Sequence, residues 1–267
     1  MTEDDADKLS KQDSRFPLIL QLLRKTGEIS VESLSHSLDV SVHTIRRDLQ
    51  QMESRGLLRR KHGGAAALGP LLYEPFKADK SFQEMVGRFA DEKRRIGRAA
   101  AESIEDGEVI ALTAGTTATE VIRNLPLNRH IVVVTNTVNV AMELANRKDV
   151  DVYVTGGHLR GEWFSLVGMT AIESMRKIVV DRLFIGVNGI DAMRGLTCYN
   201  AEEAEINRAM VGQAKRKIVI ADHSKFGVAA RWKICETRDV DLIITDADTP
   251  RTEMKKFSKA GIKVIGV

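Results

Sequence analysis

The sequence lacks the features that mark secreted and membrane proteins. No apolar run approaches the roughly 20 residues that a membrane-spanning helix needs. Residues 1–11 are acidic and polar, without the apolar core of a secretory signal. These absences favour a cytoplasmic protein, and its 267 residues are enough for one large domain or two modest ones.

Cysteine and histidine are too few and too scattered to suggest a disulfide framework or a metal centre. The two cysteines, Cys198 and Cys235, are isolated and fit no CxxC pattern. The six histidines show no ligand spacing either. We therefore expect reduced thiols, no bound metal and no cofactor.

A large excess of positive charge is absent too, so any surface for nucleic acid must be local. The formal net charge of the whole chain is only +3. Between Ser41 and His62, however, six Lys or Arg residues stand against Asp48 and Glu53. This segment is basic enough to meet a phosphate backbone.

The stretch from Ser41 to Leu49 predicts a DNA recognition helix. Ile45, Leu49 and Met52 recur at helical spacing and form one apolar face. Ser41 is a good N-cap, and the outer face carries side chains that can reach phosphates and base edges. The candidate DNA contacts in this helix are Ser41, His43, Thr44, Arg46 and Arg47. The alternative is an ordinary amphipathic surface helix, and Asp48, nearer the buried side, is expected to pair within the domain.

The flanking segments turn this helix into a winged helix-turn-helix. A first helix is expected from residue 14 or 15 to Lys25, and Ser30 caps a second one. Asp39 then opens a tight turn and tolerates the left-handed conformation that such a turn can require. Residues 57–65 predict a hairpin around Gly63 and Gly64. Its basic arm adds candidate DNA contacts at Arg59, Arg60, Lys61 and His62.

The rest of the chain alternates strand and helix signals. Apolar, β-branched runs are expected to form strands at 109–113, 131–135, 152–155, 183–187, 218–221, 242–245 and 264–267. Helical segments are expected at 88–104, 117–125, 137–147, 165–177, 201–215 and 250–260. Most of the strand runs are continuous rather than alternating, as in sheets covered on both faces. The pattern predicts an α/β protein with a doubly wound C-terminal domain.

The expected domain organisation follows from these signals. Residues 1–13 are predicted to be a disordered leader, and residues 14–68 the winged helix-turn-helix DNA-binding domain. Residues 69–88, with Gly69, Pro70 and Pro75 and no steady period, are predicted to be a linker. Residues 89–267 form the α/β domain.

Polar groups follow five of the predicted strands, at the edge where such sheets bind ligands. Each group can be structural by itself: Asp191 as a turn residue, Glu202 in a first helical turn, Lys225 as a loop cation. Together they suit a phosphorylated sugar, since amides and cations hold phosphate and carboxylates hold hydroxyls. The candidate effector-binding residues are Gly115, Thr116, Thr117, Asn136, Gly156, Gly157, Arg160, Asp191, Asn200, Glu202 and Lys225.

These motifs resemble those of a known family. The run Ser41-x-x-Thr44-Ile45-Arg46-Arg47-Asp48-Leu49, preceded by Arg15-x-x-x-Ile19, resembles the N-terminal signature of DeoR-type bacterial transcriptional regulators. The hairpin tip at 61–65 and the strand-end motifs are similar to that family's as well. The resemblance covers nearly the whole chain after the leader. It implies an effector domain related in fold to ribose-5-phosphate isomerase that senses a phosphorylated sugar.

The chain departs from the family pattern at two positions. Asp39 stands where relatives often have Gly, and Thr113 stands where they often have Asp. The first departure bears on the helix-turn-helix turn, and the second on how the ligand is held. The segment 155–160 looks like that of regulators of amino-sugar catabolic operons.

Two functions from different classes are compatible with this interpretation of the sequence. The first is a repressor of a sugar or amino-sugar catabolic operon, released from double-stranded operator DNA by a phosphorylated sugar. Paired half-sites would then call for a dimer or tetramer. The alternative is a sugar-phosphate isomerase-like enzyme with a DNA-binding appendage, in which Asp191, Glu202 and Lys225 act as acid, base and phosphate clamp. Whether a regulator of this kind represses or activates is left open by the sequence.

Overall fold

A computed structural model describes residues 15–23, 26–55, 57–67, 80–127 and 129–267. The expected leader and residues 69–79 of the expected linker lie outside these described residues. The contacts within the chain divide it into two compact units, one mainly N-terminal and one mainly C-terminal. Each unit is described by itself.

The N-terminal unit contains three helices and a small antiparallel sheet. Its helices are α1 (residues 15–23), α2 (Val31–Leu38) and α3 (Val42–Ser54). Its strands are β1 (Glu28–Ser30), β2 (Leu58–Lys61) and β3 (Gly64–Ala67), in the order β1-β3-β2. The expected hairpin is present, and β1 adds a third strand that the sequence did not predict. This is a winged helix-turn-helix.

Local chemistry sets the boundaries of these helices. Ser30 Oγ accepts a hydrogen bond from Ser33 N at 3.0 Å, and Ser41 Oγ accepts one from Thr44 N at 3.1 Å. Each cap satisfies an amide that the first helical turn leaves without a partner. Asp39 ends α2 in the left-handed region, with φ 51° and ψ 48°, as the sequence analysis expected. The expected apolar stripe of α3 is buried in the core of this unit.

The C-terminal unit is built on a parallel seven-stranded sheet in the order β15-β14-β12-β9-β4-β5-β6. Its strands are β4 (Val109–Leu112), β5 (Ile131–Thr135), β6 (Val150–Val154), β9 (Val180–Ile185), β12 (Ala214–Ile220), β14 (Leu242–Thr245) and β15 (Lys263–Gly266). All seven expected strands are therefore present. From β4 the chain first builds outward through β5 and β6 and then returns to add β9 on the other side. The two directions diverge between β4 and β9, which is the switch point where ligands bind in such sheets.

Helices cover both faces of this sheet. Helices α5 (Ala90–Glu102), α6 (Thr116–Arg123) and α7 (Val138–Leu144) pack on one face, around Phe184 and Leu112. Helices α8 (Met169–Arg176), α9 (Ala201–Gln213) and α10 (Arg251–Lys259) pack on the other, around Leu183 and Val219. Burial on both faces explains why the strands read as continuous apolar runs. The doubly wound α/β prediction is confirmed.

The structure differs from the sequence analysis in its shorter elements. Residues 80–87, expected in the linker, form helix α4 (Lys80–Gly87), and residues 165–167, expected to be helical, form a strand. The unforeseen strands are β7 (His158–Arg160), β8 (Ser165–Val167), β10 (Gly189–Asp191), β11 (Gly195–Cys198) and β13 (Trp232–Cys235). Strands of three or four residues are too short to display a period. Among the described residues, no helix combines the length and the apolar character needed to cross a bilayer.

Candidate DNA-binding surface and effector cavity

The outer face of α3 carries the basic and hydroxyl side chains that the sequence analysis singled out. His43, Arg46 and Arg47 are exposed, and Thr44 is half-buried at the start of the helix. Besides capping the helix, Ser41 Oγ shares a hydrogen bond of 2.9 Å with Thr44 Oγ1. The helix therefore begins with its hydroxyls ordered, next to a row of exposed cations.

The hairpin adds a second group of exposed basic residues. Arg59, Arg60, Lys61 and His62 are all exposed. Arg60 N donates to Glu53 Oε1 at 2.8 Å, and Lys61 forms an ion pair with Glu28 on β1. The hydrogen bond and the charge of Lys61 lower the pKa of Glu28.

The cations of α3 and the hairpin therefore fall into two groups. Arg46, Arg47 and Arg59 make no ion pair with another described residue, whereas Arg60 and Lys61 each face a carboxylate.

Asp48, the one acidic residue in the middle of α3, points into the unit. Its side chain is 1% exposed. Arg15 Nε donates to Asp48 Oδ2 at 2.7 Å, and Arg15 Nη2 donates to Asp48 Oδ1 at 3.1 Å. Two parallel bonds of this kind fix the orientation of both groups. The expected internal partner of Asp48 is thus Arg15, at the beginning of α1.

In the C-terminal unit, a cavity lies beyond the carboxyl ends of β5, β4, β9 and β12, across the switch point. Its volume is about 220 Å³, below the roughly 300–1,000 Å³ of pockets for drug-sized ligands. Seven of the eleven residues expected to bind an effector line it: Gly115, Thr116, Thr117, Asn136, Arg160, Asn200 and Lys225. The cavity therefore suits a small, polar molecule.

One end of the cavity carries two lysines and the carboxylate of Asp222. Lys225 lies in the loop after β12, and Lys93, which the sequence analysis missed, reaches in from α5. Lys93 is only 3% exposed, and its Nζ donates to Met85 O. Burial lowers the pKa of Lys93 to about 8, although nearby Asp222 acts in the opposite direction. An anion at this end would favour the protonated form of Lys93.

The loop between β4 and α6 brings backbone amides to the same cavity. Gly115 adopts φ 150° and ψ 154°, and a Cβ at this position would meet no atom within 4 Å. Thr116 and Thr117 follow as the first residues of α6. The amides at the start of a helix have no partner in the helix itself, so they can bind a phosphate or another anion.

The cavity also contains a group of hydrogen-bond acceptors. Glu203, in the first turn of α9, accepts from Arg160 Nη1 at 3.2 Å and from Ser165 Oγ at 3.0 Å, both through Oε1. Asn200 caps the same helix by accepting from Glu203 N at 3.1 Å. This arrangement fixes the carboxylate of Glu203 in the cavity wall, where it can accept hydrogen bonds from hydroxyl groups.

Four of the expected residues do not line the cavity. Glu202 is exposed, and Glu203 takes the place expected for it because successive helical residues point about 100° apart. Asp191 Oδ1 accepts from the amides of Met193 and Arg194, both at 2.9 Å, and so closes the turn between β10 and β11. We remove both carboxylates from the candidate site.

The two glycines after β6 are also removed from the candidate site. Gly156 and Gly157 follow the edge strand of the sheet, beyond the four strands that end at the cavity. Gly157 has φ 112°, and a Cβ there would lie 2.5 Å from Val167 O. It therefore permits the close approach of β8 and α8, and the cavity is reached by Arg160 and Trp163, further along the chain.

Thr113, where the resemblance implied Asp, has a structural contact at the switch point. Its side chain is fully buried, and its Oγ1 accepts a hydrogen bond of 2.9 Å from Gly186 N. Thr113 follows β4 and Gly186 follows β9, so the bond joins the ends of the two strands at the switch point. Thr113 does not line the cavity.

A second buried carboxylate positions the loop that carries Lys225. Asp246, which follows β14, accepts from His223 N at 2.7 Å and from Asp248 N at 3.1 Å. The ring Nδ1 of His223 lies 2.9 Å from Asp246 Oδ1, and Phe89 contacts the same ring edge-on. His223, Asp246 and Asp248 are close enough together to hold a cation. The backbone bonds to Asp246 give this cluster a role in bracing the loop.

Comparison with known proteins identifies both units. Residues 15–70 match the family described as "DeoR-like helix-turn-helix domain", and residues 88–247 match "DeoR C terminal sensor domain". The HTH-type transcriptional regulator GlpR of Haloferax volcanii is 38% identical over 247 residues, with 92% of this chain and 94% of that protein covered. A putative aga operon transcriptional repressor of Escherichia coli O157:H7 is 36% identical, with 99% and 98% covered. The glycerol-3-phosphate regulon repressor of Escherichia coli K12 is 31% identical, with 95% and 98% covered.

A solved structure is similar to part of the chain. Ribose 5-phosphate isomerase A of Methanocaldococcus jannaschii matches with a TM-score of 0.40 and 17% identity, over 52% of this chain and 55% of that one. The full-length curated relatives are transcriptional regulators, not enzymes. The isomerase-like alternative is therefore wrong, and two of the residues assigned to its chemistry, Asp191 and Glu202, do not line the cavity.

Proposed function

Because this chain belongs to the DeoR family of transcriptional regulators, we propose that it represses a sugar or amino-sugar catabolic operon and leaves its operator when a phosphorylated sugar binds. The observation that carries this proposal is a small polar cavity lined by two lysines and a helix N-terminus. Relatives named for the aga operon and the glycerol-3-phosphate regulon support the same substrate class.

In this proposal, residues 14–68 bind the operator through α3 and the hairpin. Arg46 and Arg47 are exposed on the outer face of α3, where they can reach guanine edges or phosphates in the major groove. The cations of the hairpin contact the phosphate backbone of the DNA beside α3. These contacts position the helix but do not distinguish one base sequence from another. Repression takes place in the cytoplasm, where the operator DNA lies.

Residues 89–267 bind the effector. Its phosphate lies against Lys93, Lys225 and the loop of Gly115, where backbone amides and two cations converge. Its hydroxyls contact the acceptors, among them the Glu203 carboxylate. A phosphorylated sugar is the ligand class that needs both kinds of contact in one small cavity.

The two functions are linked by differential binding. The effector shifts the protein toward a conformation or assembly with lower operator affinity, and operator DNA lowers effector affinity by the same factor. A dimer or tetramer fits this scheme, since two α3 helices on paired half-sites gain affinity from each other.

A gel-shift titration tests both halves. The full chain should shift DNA from upstream of its own gene at moderate salt, and one or more sugar phosphates should release it. No sequence-specific shift would refute the operator half. A shift that no phosphorylated sugar changes would refute the effector half.

A further inference from the structure

Asn136 is buried in the wall of the cavity, directly after β5. Its side chain is 1% exposed. Two hydrogen bonds tie it to β8: Leu166 N donates to Asn136 O at 2.6 Å, and Asn136 Nδ2 donates to Leu166 O at 3.2 Å. The backbone of β8 therefore holds both the position and the rotation of this amide.

These bonds decide which way the amide group faces. The atom next to the Leu166 carbonyl oxygen must be the donor, Nδ2, because two oxygens in contact would repel each other. The other atom, Oδ1, is consequently the acceptor. Oδ1 is buried and has no hydrogen-bond partner among the described residues.

A buried acceptor without a partner is unusual in a native protein. It weakens a folded or bound state by about tenfold to a hundredfold, unless water or a ligand satisfies it. Asn136 lies in the cavity wall, so the ligand is the natural source of the missing donor. Only a hydroxyl, an amine or an amide N–H can supply one, whereas an ionised carboxylate has none.

A second acceptor, Glu203 of α9, is bonded to a neighbouring residue of β8. Ser165, adjacent to Leu166 on β8, donates to Glu203 Oε1 at 3.0 Å. An amide oxygen and a carboxylate are thus held by successive residues of β8, whereas the two lysines come from α5 and from the loop after β12. Because Arg160 already pairs with Glu203 in this wall, the selection rests on Asn136: a ligand carboxylate placed against its Oδ1 would bring two acceptors together and be rejected.

Building on the proposed function, we propose that Asn136 is a specificity-determining residue that selects phosphorylated polyols and sugars over phosphorylated acids. The phosphate occupies the lysine end, and a hydroxyl or amine elsewhere on the effector donates to Asn136 Oδ1. Oxidation of the effector's terminal carbon to a carboxylate removes this donor and weakens binding by about tenfold or more. The protein therefore responds to phosphorylated polyols and sugars more strongly than to the corresponding acids.

Calorimetry on the full chain tests this selection with five probes. Two pairs differ at the end away from the phosphate: glycerol 3-phosphate with 3-phosphoglycerate, and glucose 6-phosphate with 6-phosphogluconate. Inorganic phosphate is the fifth probe. At least one alcohol should bind, and more tightly than its matched acid by about tenfold or more. This comparison uses the unaltered protein, so its result does not depend on whether a variant folds.

Two asparagine variants assign the effect to Asn136. Asn136→Leu should weaken binding of the unoxidised compound by about tenfold and leave the affinity for inorganic phosphate unchanged. The ratio of the affinities for the unoxidised compound and its matched acid should therefore fall. The matched control is Asn139→Leu, since Asn139 bonds Thr119 on α6 and does not line the cavity. It should change none of the affinities.

The two ways in which this experiment can fail are distinguishable. If the acids bind as tightly as the matched unoxidised compounds, or if Asn136→Leu keeps the full preference for the unoxidised compound, the role of Asn136 is refuted but phosphate binding is not. If none of the five probes binds, inorganic phosphate included, both the proposed effector binding and the role of Asn136 are refuted.

Discussion

Arg15 and Asp48 form a two-bond ion pair between the start of α1 and the buried side of α3, with N–O distances of 2.7 and 3.1 Å. The pair lies on the opposite side of α3 from His43 and Arg47. Both residues belong to the motif that the chain shares with its family. Their contact shows that these two residues of the motif hold α3 in place.

Arg15→Ala should destabilise the N-terminal unit by about 3 kcal/mol, because it removes two charge-assisted hydrogen bonds to a buried carboxylate. Urea unfolding of the full chain would measure the change. Arg94→Ala is a suitable control, since its pair with Asp91 is largely exposed and should be worth about 1 kcal/mol or less. Equal effects from the two variants would contradict a structural role for the Arg15–Asp48 pair.

Arg47→Ala should weaken operator binding by about 1–3 kcal/mol and relax the preference for one base pair. Arg47 is exposed and makes no ion pair with another described residue, so its loss should leave stability and effector binding unchanged. Fluorescence anisotropy with operator and scrambled DNA would measure both affinity and specificity. An unchanged operator affinity would mean that another face of α3 meets the DNA.

Glu28→Gln should strengthen DNA binding, by about two- to fivefold at low salt, because Lys61 then loses its carboxylate partner. The hydrogen bond to Lys61 lowers the pKa of Glu28, so this carboxylate stays ionised at neutral pH and competes with phosphate. The gain should shrink as salt rises. Weaker binding by the variant would indicate that the Glu28–Lys61 pair orients the hairpin for DNA.

Periodicity and turn chemistry were sufficient to predict most of the scaffold. The seven strands of the large sheet could be predicted because burial on both faces makes each an unbroken apolar run. Helix α3 could be predicted because its N-cap, its apolar stripe and its basic face all indicate the same helix. The short strands were not predicted, because pairing with other strands stabilises them over only three or four residues and their local sequence shows no period. They are β7, β8, β10, β11 and β13.

The cavity was only partly predictable. Lys93 was overlooked because lysines are rarely buried. It nevertheless stands three residues before Ile96, on the buried stripe that continues to Ala100 and Ile104, and that position was the available signal. Glu203 was overlooked in favour of Glu202, although Asn200 and Glu203 have the spacing of a capped first turn.

The adjacent pair Glu202 and Glu203 allows a matched test of the corrected site. Glu203→Gln should weaken sugar-phosphate binding by about tenfold, because it loosens the contacts to Arg160 and Ser165 and removes a charged acceptor. Glu202→Gln, on the exposed side of α9, should leave the affinity unchanged. Calorimetry with a sugar phosphate that releases the operator would compare them. A larger effect at Glu202 would restore the residue that the sequence first favoured.

Lys93 should make effector binding depend on pH. Burial lowers its pKa to about 8 in the ligand-free protein, from an ordinary value of 10.5. Below pH 8 the ammonium is already present for the phosphate. As the pH rises above 8, binding must first recover a proton, so affinity should fall by up to about tenfold per pH unit. The phosphate itself loses its second proton near pH 6, so it does not contribute to a change in this range.

The lowered pKa of Lys93 affects folding stability in the opposite direction. Between pH 8 and 10.5 the unfolded chain keeps a proton on this lysine that the folded chain has lost, so the contribution of Lys93 to stability rises with pH. Lys93→Met should therefore bind the effector weakly, with little pH dependence between 7.5 and 9.5, and remove this component of the stability profile. Calorimetry and urea unfolding across that range would measure the two effects. If the variant kept the decline in affinity above pH 8, another group in the cavity would be responsible, and Lys93 would be no part of the phosphate site.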